Sequence, residues 1–321
     1  MNNKTKQVLI NQNITVCKVG FYQNCLIGKS LKTSYVNNFD IGESHTICNV
    51  YVVNQHAIDT VDEFCSRSVK SSSTSDLNLN FNFQLKDGWM NPVVMCVVDR
   101  NNFFGNNFNQ SEGITDDIYN IRTNFNMITQ NGNPFPLKEK ECVYNKHITV
   151  IRDKTFQAIP LPQVFSTGLI VISPLHKPAL LDENRMGSVE FLNMMTTVET
   201  LFQTAVYYGH NILVLTPLGH THDEIPQEDI IKIYNSLIFK YQHKFKYIIV
   251  SIPPWDGIEL FNLYDSNIIK PQELCEENLD EIINNQDNQD NNENEESQEN
   301  NQNTKIRIRN SNNKLYNNNY S

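Results

Sequence analysis

The stretch Asn211–Pro254, NILVLTPLGHTHDEIPQEDIIKIYNSLIFKYQHKFKYIIVSIPP, carries the reading of the fold. Ile212 to Leu215 is a short, wholly apolar run of the kind covered on both faces of a parallel sheet, and Phe245 to Ile252 is a second. Between them lies a helical pattern that begins near Pro226, with Gln227, Glu228 and Asp229 in its first turn, where carboxylates suit the positive end of the helix dipole. Its inward face is Ile230, Ile231, Tyr234, Leu237, Ile238 and Tyr241. The stretch is therefore a complete βαβ unit. The connection Thr216 to Ile225 leaves the carboxyl end of a strand and enters a helix N-terminus, where free N–H groups collect and a phosphate or diphosphate is most easily held.

Working outward, apolar strands alternate with helical segments through residue 255: Pro92 to Val98, His147 to Ile151, and Thr167 to Ser173, then a long helix around Met186 to Tyr208, with an earlier helix at His56 to Phe64. A length of 321 residues fits one such domain plus a tail. After Ile269 the composition turns to Glu, Asp, Gln and Asn, with too little apolar content to offset chain entropy, so residues 270–321 are expected to be disordered. Glu273 to Glu299 holds eleven acids, and Lys305, Arg307, Arg309 and Lys314 return four positive charges, which leaves −3 of the chain's −10 for residues 1–272. A nearly neutral folded part has no basic patch, so no nucleic-acid partner is expected.

Seven dispersed cysteines without a C-x-x-C pair read as reduced thiols. No apolar run approaches the ~18 residues of a membrane span. Met1 to Gln7 is polar with no hydrophobic region after it, which argues against a secretory signal. The expected location is the cytoplasm, or the host cytoplasm if the protein is viral, with no membrane partner.

The order Ile212-Leu-Val-Leu-Thr-Pro-Leu-Gly219-His220-Thr221-His222-Asp223-Glu224-Ile-Pro226 resembles the strand and diphosphate loop of the microbial poly(ADP-ribose) glycohydrolase type of macrodomain. Asn133-Pro-Phe-Pro-Leu, then His147-Ile-Thr-Val-Ile-Arg152-Asp153, and the strand at Thr167 to Ser173 are similar to that family's preceding segments, in order. Gly20-Phe21-Tyr22 and Leu31 resemble its small antiparallel opening. The resemblance implies an α/β chain with a three-layer α/β/α macrodomain-like fold and a mixed sheet. It divides the chain into an N-terminal extension at 1–90 with an antiparallel opening, a macrodomain-like core at 91–265, and the tail.

The same resemblance implies ADP-ribose, or an ADP-ribosylated protein, as ligand. It places Asp99, Gly105, Asn106, Asn107, Gly219, His220, Thr221 and His222 along the ligand and calls for no metal and no cofactor. Where the family has Gln-Glu-Glu opening a helix that runs to an Arg-Thr pair, this chain has Thr115-Asp116-Asp117 and Arg122-Thr123. Asp117 falls at the general acid and Asp116 beside it; a shift of a few residues in the alignment would pass the acid to Glu112. An aspartate keeps the carboxylic acid with one methylene less reach, and errors of about 1 Å can cost on the order of 100-fold in rate.

Two outcomes stay open on these residues: ADP-ribose or poly(ADP-ribose) recognition with weak glycohydrolase activity, or an inactive macrodomain with an interaction or structural role. Within the loop, Asp223 and Glu224 set two carboxylates toward a diphosphate, which is repulsive at close range. His220, His222 and Asp223 also form a His-x-His-Asp cluster of metal-binding residue types, with His176, His210 and Asp99 as conceivable further ligands, but a solvated loop is the better account of it and no metal is assigned. Arg152 and Asp153 follow a strand too, but Lys154 after them reads as a surface turn.

Overall fold

A computed structural model describes residues 3–18, 30–42, 48–67, 91–100, 117–125, 134–160, 164–182, 184–220 and 223–270, all within one compact unit that ends at Pro271. The expected disordered tail lies outside the described residues. In chain order the elements are α1 (Asn3–Lys18), β1 (Ser30–Ser34), β2 (Asn49–Val53), α2 (Ala57–Arg67), β3 (Pro92–Val97), α3 (Asp117–Arg122), β4 (Glu141–Val150) and β5 (Phe165–Ile172). There follow β6 (Leu180–Asp182), β7 (Arg185–Met186), α4 (Ser188–Tyr207), β8 (Ile212–Leu215), α5 (Gln227–Tyr241), β9 (Tyr247–Ser251) and α6 (Ile258–Asn267).

Among the described residues, seven strands form the main sheet in the order β1-β4-β5-β3-β8-β9-β2. β4 runs antiparallel to both of its neighbours, β1 and β5, while β5-β3-β8-β9-β2 are parallel to one another, so the sheet is mixed. The sequence expectation of a mixed-sheet α/β fold is met. Two strands from the first 90 residues close its two edges: β1 pairs antiparallel with β4 through Leu31↔Tyr144, and β2 pairs parallel with β9 through Val50↔Ile248.

Every central strand is apolar on both sides because both faces are covered. Met95, Ile170, Leu213 and Ile248 face one core with α4, α5 and α6; Val94, Leu169, Val214 and Ile249 face the other with α2 and α3. The period-2 alternation of side chains thus splits one strand run into two cores, which makes three layers. α5 carries the face read from the sequence: Ile230, Ile231, Tyr234, Leu237, Ile238 and Tyr241 are all buried, and burying each fully is worth about 1.5 to 3 kcal/mol. The helix starts after Pro226 and passes at Gln242 into a 3₁₀ turn.

α1 has no equivalent in the sequence reading. It lies on α3, where Asn13 Nδ2 donates to the carbonyls of Asn120 and Ile121, and Arg152 Nε donates to Asn13 Oδ1 at 2.8 Å. Arg152 is thereby committed to α1, and Asp153 closes the expected surface turn by accepting from Thr155 N at 2.8 Å and Gln157 N at 3.0 Å. Cys48, Cys96 and Cys142 are buried thiols; burial pushes Cys48 up to about 12 and Cys142 up to about 11, so neither of these two is a ready thiolate. Among the described residues no helix is long and apolar enough to cross a membrane.

Candidate functional site at the carboxyl edge of the sheet

The topology selects one crevice. The connection leaving β3 passes through α3 on one face toward β4, and the connection leaving the adjacent β8 passes through α5 on the other face toward β9. Two neighbouring parallel strands whose connections depart in opposite directions leave a gap outside their carboxyl ends, and ligands of open α/β sheets bind in such gaps. Asp99 and Arg100 stand at the β3 side of it; Thr216 to His220 stand at the β8 side.

On the β3 side, Asp99 and Arg100 are partly buried, and Arg100 makes two contacts. Its carbonyl accepts from Leu137 N at 2.9 Å, and its guanidinium meets Glu139 at 3.6 Å. Asp117 opens α3. The helix is pinned against the sheet because Tyr119 Oη donates to Met95 O at 2.9 Å and Ile151 N donates to Arg122 O at 2.8 Å. The Arg122-Thr123 pair used to align the acid is structural. The Arg122 side chain, 3 % exposed, makes an ion pair of 2.6 Å with Asp59 at the start of α2, and Thr123 Oγ1 donates to Tyr119 O at 2.6 Å.

On the β8 side, Gly219 has φ +64, the left-handed region that glycine enters without a Cβ penalty. A Cβ there would meet Ile225 Cδ1 at 2.3 Å and Asp223 Cβ at 3.1 Å. The loop is drawn tight beneath it: Ile225 N donates to Gly219 O at 3.2 Å, and Gln227 Nε2 donates to the carbonyls of Leu218 at 3.1 Å and Ile225 at 2.9 Å. Gln227 is itself fixed by Tyr264 Oη at 2.7 Å. His220 is exposed at the rim. Asp116, Gly105, Asn106, Asn107, Thr221 and His222, together with the alternative acid Glu112, lie outside the described residues.

The acidic pair in this loop behaves differently from its sequence reading. Asp223 is buried and its Oδ1 lies 3.0 Å from His176 Nδ1, while Glu224 Oε1 lies 2.7 Å from Lys177 Nζ. Each carboxylate is engaged by the segment that follows β5 rather than presented as a bare charge. His210, named beside them as a conceivable metal ligand, precedes β8 and so sits at the opposite edge of the sheet. It is buried between Asn91 O at 3.1 Å and Tyr144 Oη at 3.0 Å, and burial holds its imidazole down at about 4. Among the described residues no three His, Cys, Asp or Glu side chains come together as a metal site.

Sequence reasoning passed over one residue at this edge. Trp255, in the turn after β9, is 62 % exposed with its ring 5.6 Å from that of the buried His56. The rule that singled out Asp99 after β3 applies equally to Trp255 after β9.

The fold matches solved structures. A poly(ADP-ribose) glycohydrolase from Thermomonospora curvata superposes with a TM-score of 0.61 at 7% identity, over 82% of this chain and 99% of that one. The chain has the microbial poly(ADP-ribose) glycohydrolase fold. A variant of the same enzyme gives 0.57 at 8% identity over 83% and 100%, and the glycohydrolase from Deinococcus radiodurans in complex with ADP-ribose gives 0.53 at 11% identity over 77% and 95%. No protein-family model matches the chain, and no curated protein matches it. The macrodomain-like architecture expected from Ile212 to Pro226 is therefore met in three dimensions, across a distance at which sequence comparison is silent.

Proposed function

We propose that this protein recognises ADP-ribose or poly(ADP-ribose) in the crevice between the carboxyl ends of β3 and β8, and hydrolyses the ribosyl linkage slowly. The observation that carries this reading is the loop after β8. Gly219 stands in the left-handed region on a loop closed by Gln227 and Ile225, at the gap between oppositely departing connections, in a fold shared with enzymes that bind ADP-ribose. Bare backbone at such a turn admits the close approach that a diphosphate needs, and the N-terminus of α5 follows within the same loop.

In this reading Gly219, His220, Thr221 and His222 line the phosphates from the β8 side and Gly105, Asn106 and Asn107 from the β3 side, with Asp99 contacting the ligand away from the phosphates. Asp116 orients a ribose. Asp117 donates its proton to the leaving ribosyl oxygen as an oxocarbenium-like centre develops, and water then attacks that centre and returns a proton to the Asp117 carboxylate; general acid catalysis of this sort contributes ~100- to 10,000-fold. The shorter reach of aspartate lowers the rate without removing the chemistry. No residue is assigned to a metal or cofactor.

The replacement of Gln-Glu-Glu by Thr115-Asp116-Asp117 favours a second reading, in which the chain binds the ligand and does not cleave it. Calorimetric titration with ADP-ribose tests the binding: micromolar affinity is expected, and no heat at millimolar ligand overturns the proposal. Release of ADP-ribose from a poly(ADP-ribosylated) protein by the wild type and not by Asp117→Asn separates the two readings.

A further inference from the structure

We infer that His176 and Lys177 are positioning residues: together they form a latch that holds the loop after β8 in the shape an anion requires. The ligand in this inference rests on the proposed function; the latch itself does not. Three contacts join the two segments. His176 Nδ1 and Asp223 Oδ1 are 3.0 Å apart, Lys177 N donates to Asp223 O at 3.1 Å, and Lys177 Nζ lies 2.7 Å from Glu224 Oε1.

The backbone supplies an independent sign that the contact is specific. Lys177 has φ +46 and Glu224 has φ +54, so the two residues that form one ion pair both occupy the left-handed region, which a side chain with a Cβ enters rarely. Conformations of this kind persist where the surroundings over-determine them, and here each strained residue is the other's surroundings.

The geometry carries the effect to the glycine. Asp223 is buried, with its carboxylate 1 % exposed, against a His176 imidazole that is 60 % exposed, so the solvent-facing partner holds the interior one. The Cβ of Asp223 lies 3.1 Å from the position of a Cβ on Gly219, and Ile225, two residues on, donates to Gly219 O. Releasing Asp223 therefore frees the floor on which Gly219 rests. It also leaves the Asp223 carboxylate without that partner in a loop that is to accept phosphate, which a bare carboxylate repels.

Hydrogen exchange on the ligand-free full chain tests the latch. The amides of Lys177 and Ile225 report on it, and that of Val214 in β8 reports on the rest of the fold. In His176→Ala, exchange at Lys177 and Ile225 is expected to rise roughly tenfold while Val214 stays as in the wild type, in line with the coupling found between directly contacting residues. His176→Asn, which keeps a donor near the Nδ1 position, is expected to restore protection. ADP-ribose affinity is expected to fall roughly tenfold in the alanine variant and to recover in the asparagine variant. Unchanged exchange at Lys177 and Ile225 in His176→Ala overturns the latch, and so does equal impairment by alanine and asparagine. If the wild type binds no ADP-ribose, the proposed function fails, and the exchange data alone still decide the latch.

Discussion

Replacing Gly219 with alanine isolates the feature on which the β8 loop depends. The alanine inherits φ +64, which costs a residue with a Cβ about 1 to 2 kcal/mol. Its Cβ also arrives 2.3 Å from Ile225 Cδ1 and 2.9 Å from Cγ1. Ile225 is buried at 3 % exposure, so its side chain can yield only by displacing neighbours, and overpacking of that kind costs about 1 to 3 kcal/mol. The total is about 2 to 5 kcal/mol. In urea, the midpoint should fall with the slope unchanged, because the surface exposed on unfolding is the same. By heat, each kcal/mol is worth roughly 2 to 4 °C in a domain of this size, so the melting temperature should drop by roughly 4 to 20 °C. Ile225→Val removes the closest atom and alone costs about 0.5 to 1.5 kcal/mol. Combined with Gly219→Ala it should recover stability, a coupling that a double-mutant cycle reads directly. A loss below about 1 kcal/mol, or a cycle that is additive, refutes the claim that glycine is required here by both φ and contact.

Three further outcomes follow from single contacts. His210 is held down at about 4 by burial against an ordinary 6.5, so the native state keeps it neutral while the unfolded chain takes up a proton. Its stabilisation, about 3 kcal/mol, is full above pH 6.5 and is lost as pH falls from there to about 4; urea titrations across that range should show the loss, and His210→Gln should flatten it. Asp59→Asn leaves the Arg122 guanidinium, 3 % exposed, without its carboxylate. Breaking a buried pair costs about 3 to 5 kcal/mol, and because Asp59 is 28 % exposed the expected fall in unfolding free energy is about 2 to 4 kcal/mol. Trp255→Ala should leave the melting temperature nearly unchanged but weaken ADP-ribose binding by about 1 to 3 kcal/mol in calorimetry, the usual worth of one base stacked on an aromatic; equal affinities would remove Trp255 from the site.

The parts of the fold legible in the sequence are those whose physics is local. Ile212 to Leu215 is unbroken apolar sequence because both faces of β8 are covered, and α5 repeats its buried positions at helical spacing, so both elements stand where they were expected. β2 escaped notice because it is an edge strand of alternating burial, Asn49 to Val53, whose place is set by pairing with β9 nearly 200 residues away. α1 escaped for a related reason: its Asn- and Thr-rich sequence has weak helical preference, and tertiary bonds through Asn13 secure it. At the site, the special backbone of Gly219 was readable from its residue type. The pairing of Asp223 and Glu224 was not, since their partners lie 47 residues earlier and carry no motif.

That pairing bears on what the carboxyl edge demands beyond a fold shared at 7% identity. The three layers need only apolar strands covered twice and helices with one apolar face, a pattern that many sequences satisfy. The carboxyl edge is less forgiving, because each charge placed there must be compatible with an anion or be compensated. Two acids in the β8 loop are tolerable in an anion site only together with a histidine and a lysine in the loop after β5, so the four residues form one unit across two connections. Substitutions within such a unit do not add, and a neutral residue at Asp223 or Glu224 removes the carboxylate that His176 or Lys177 meets here. What this edge can hold is therefore set by residues in contact, Asp223 with His176 and Glu224 with Lys177, and cannot be read position by position.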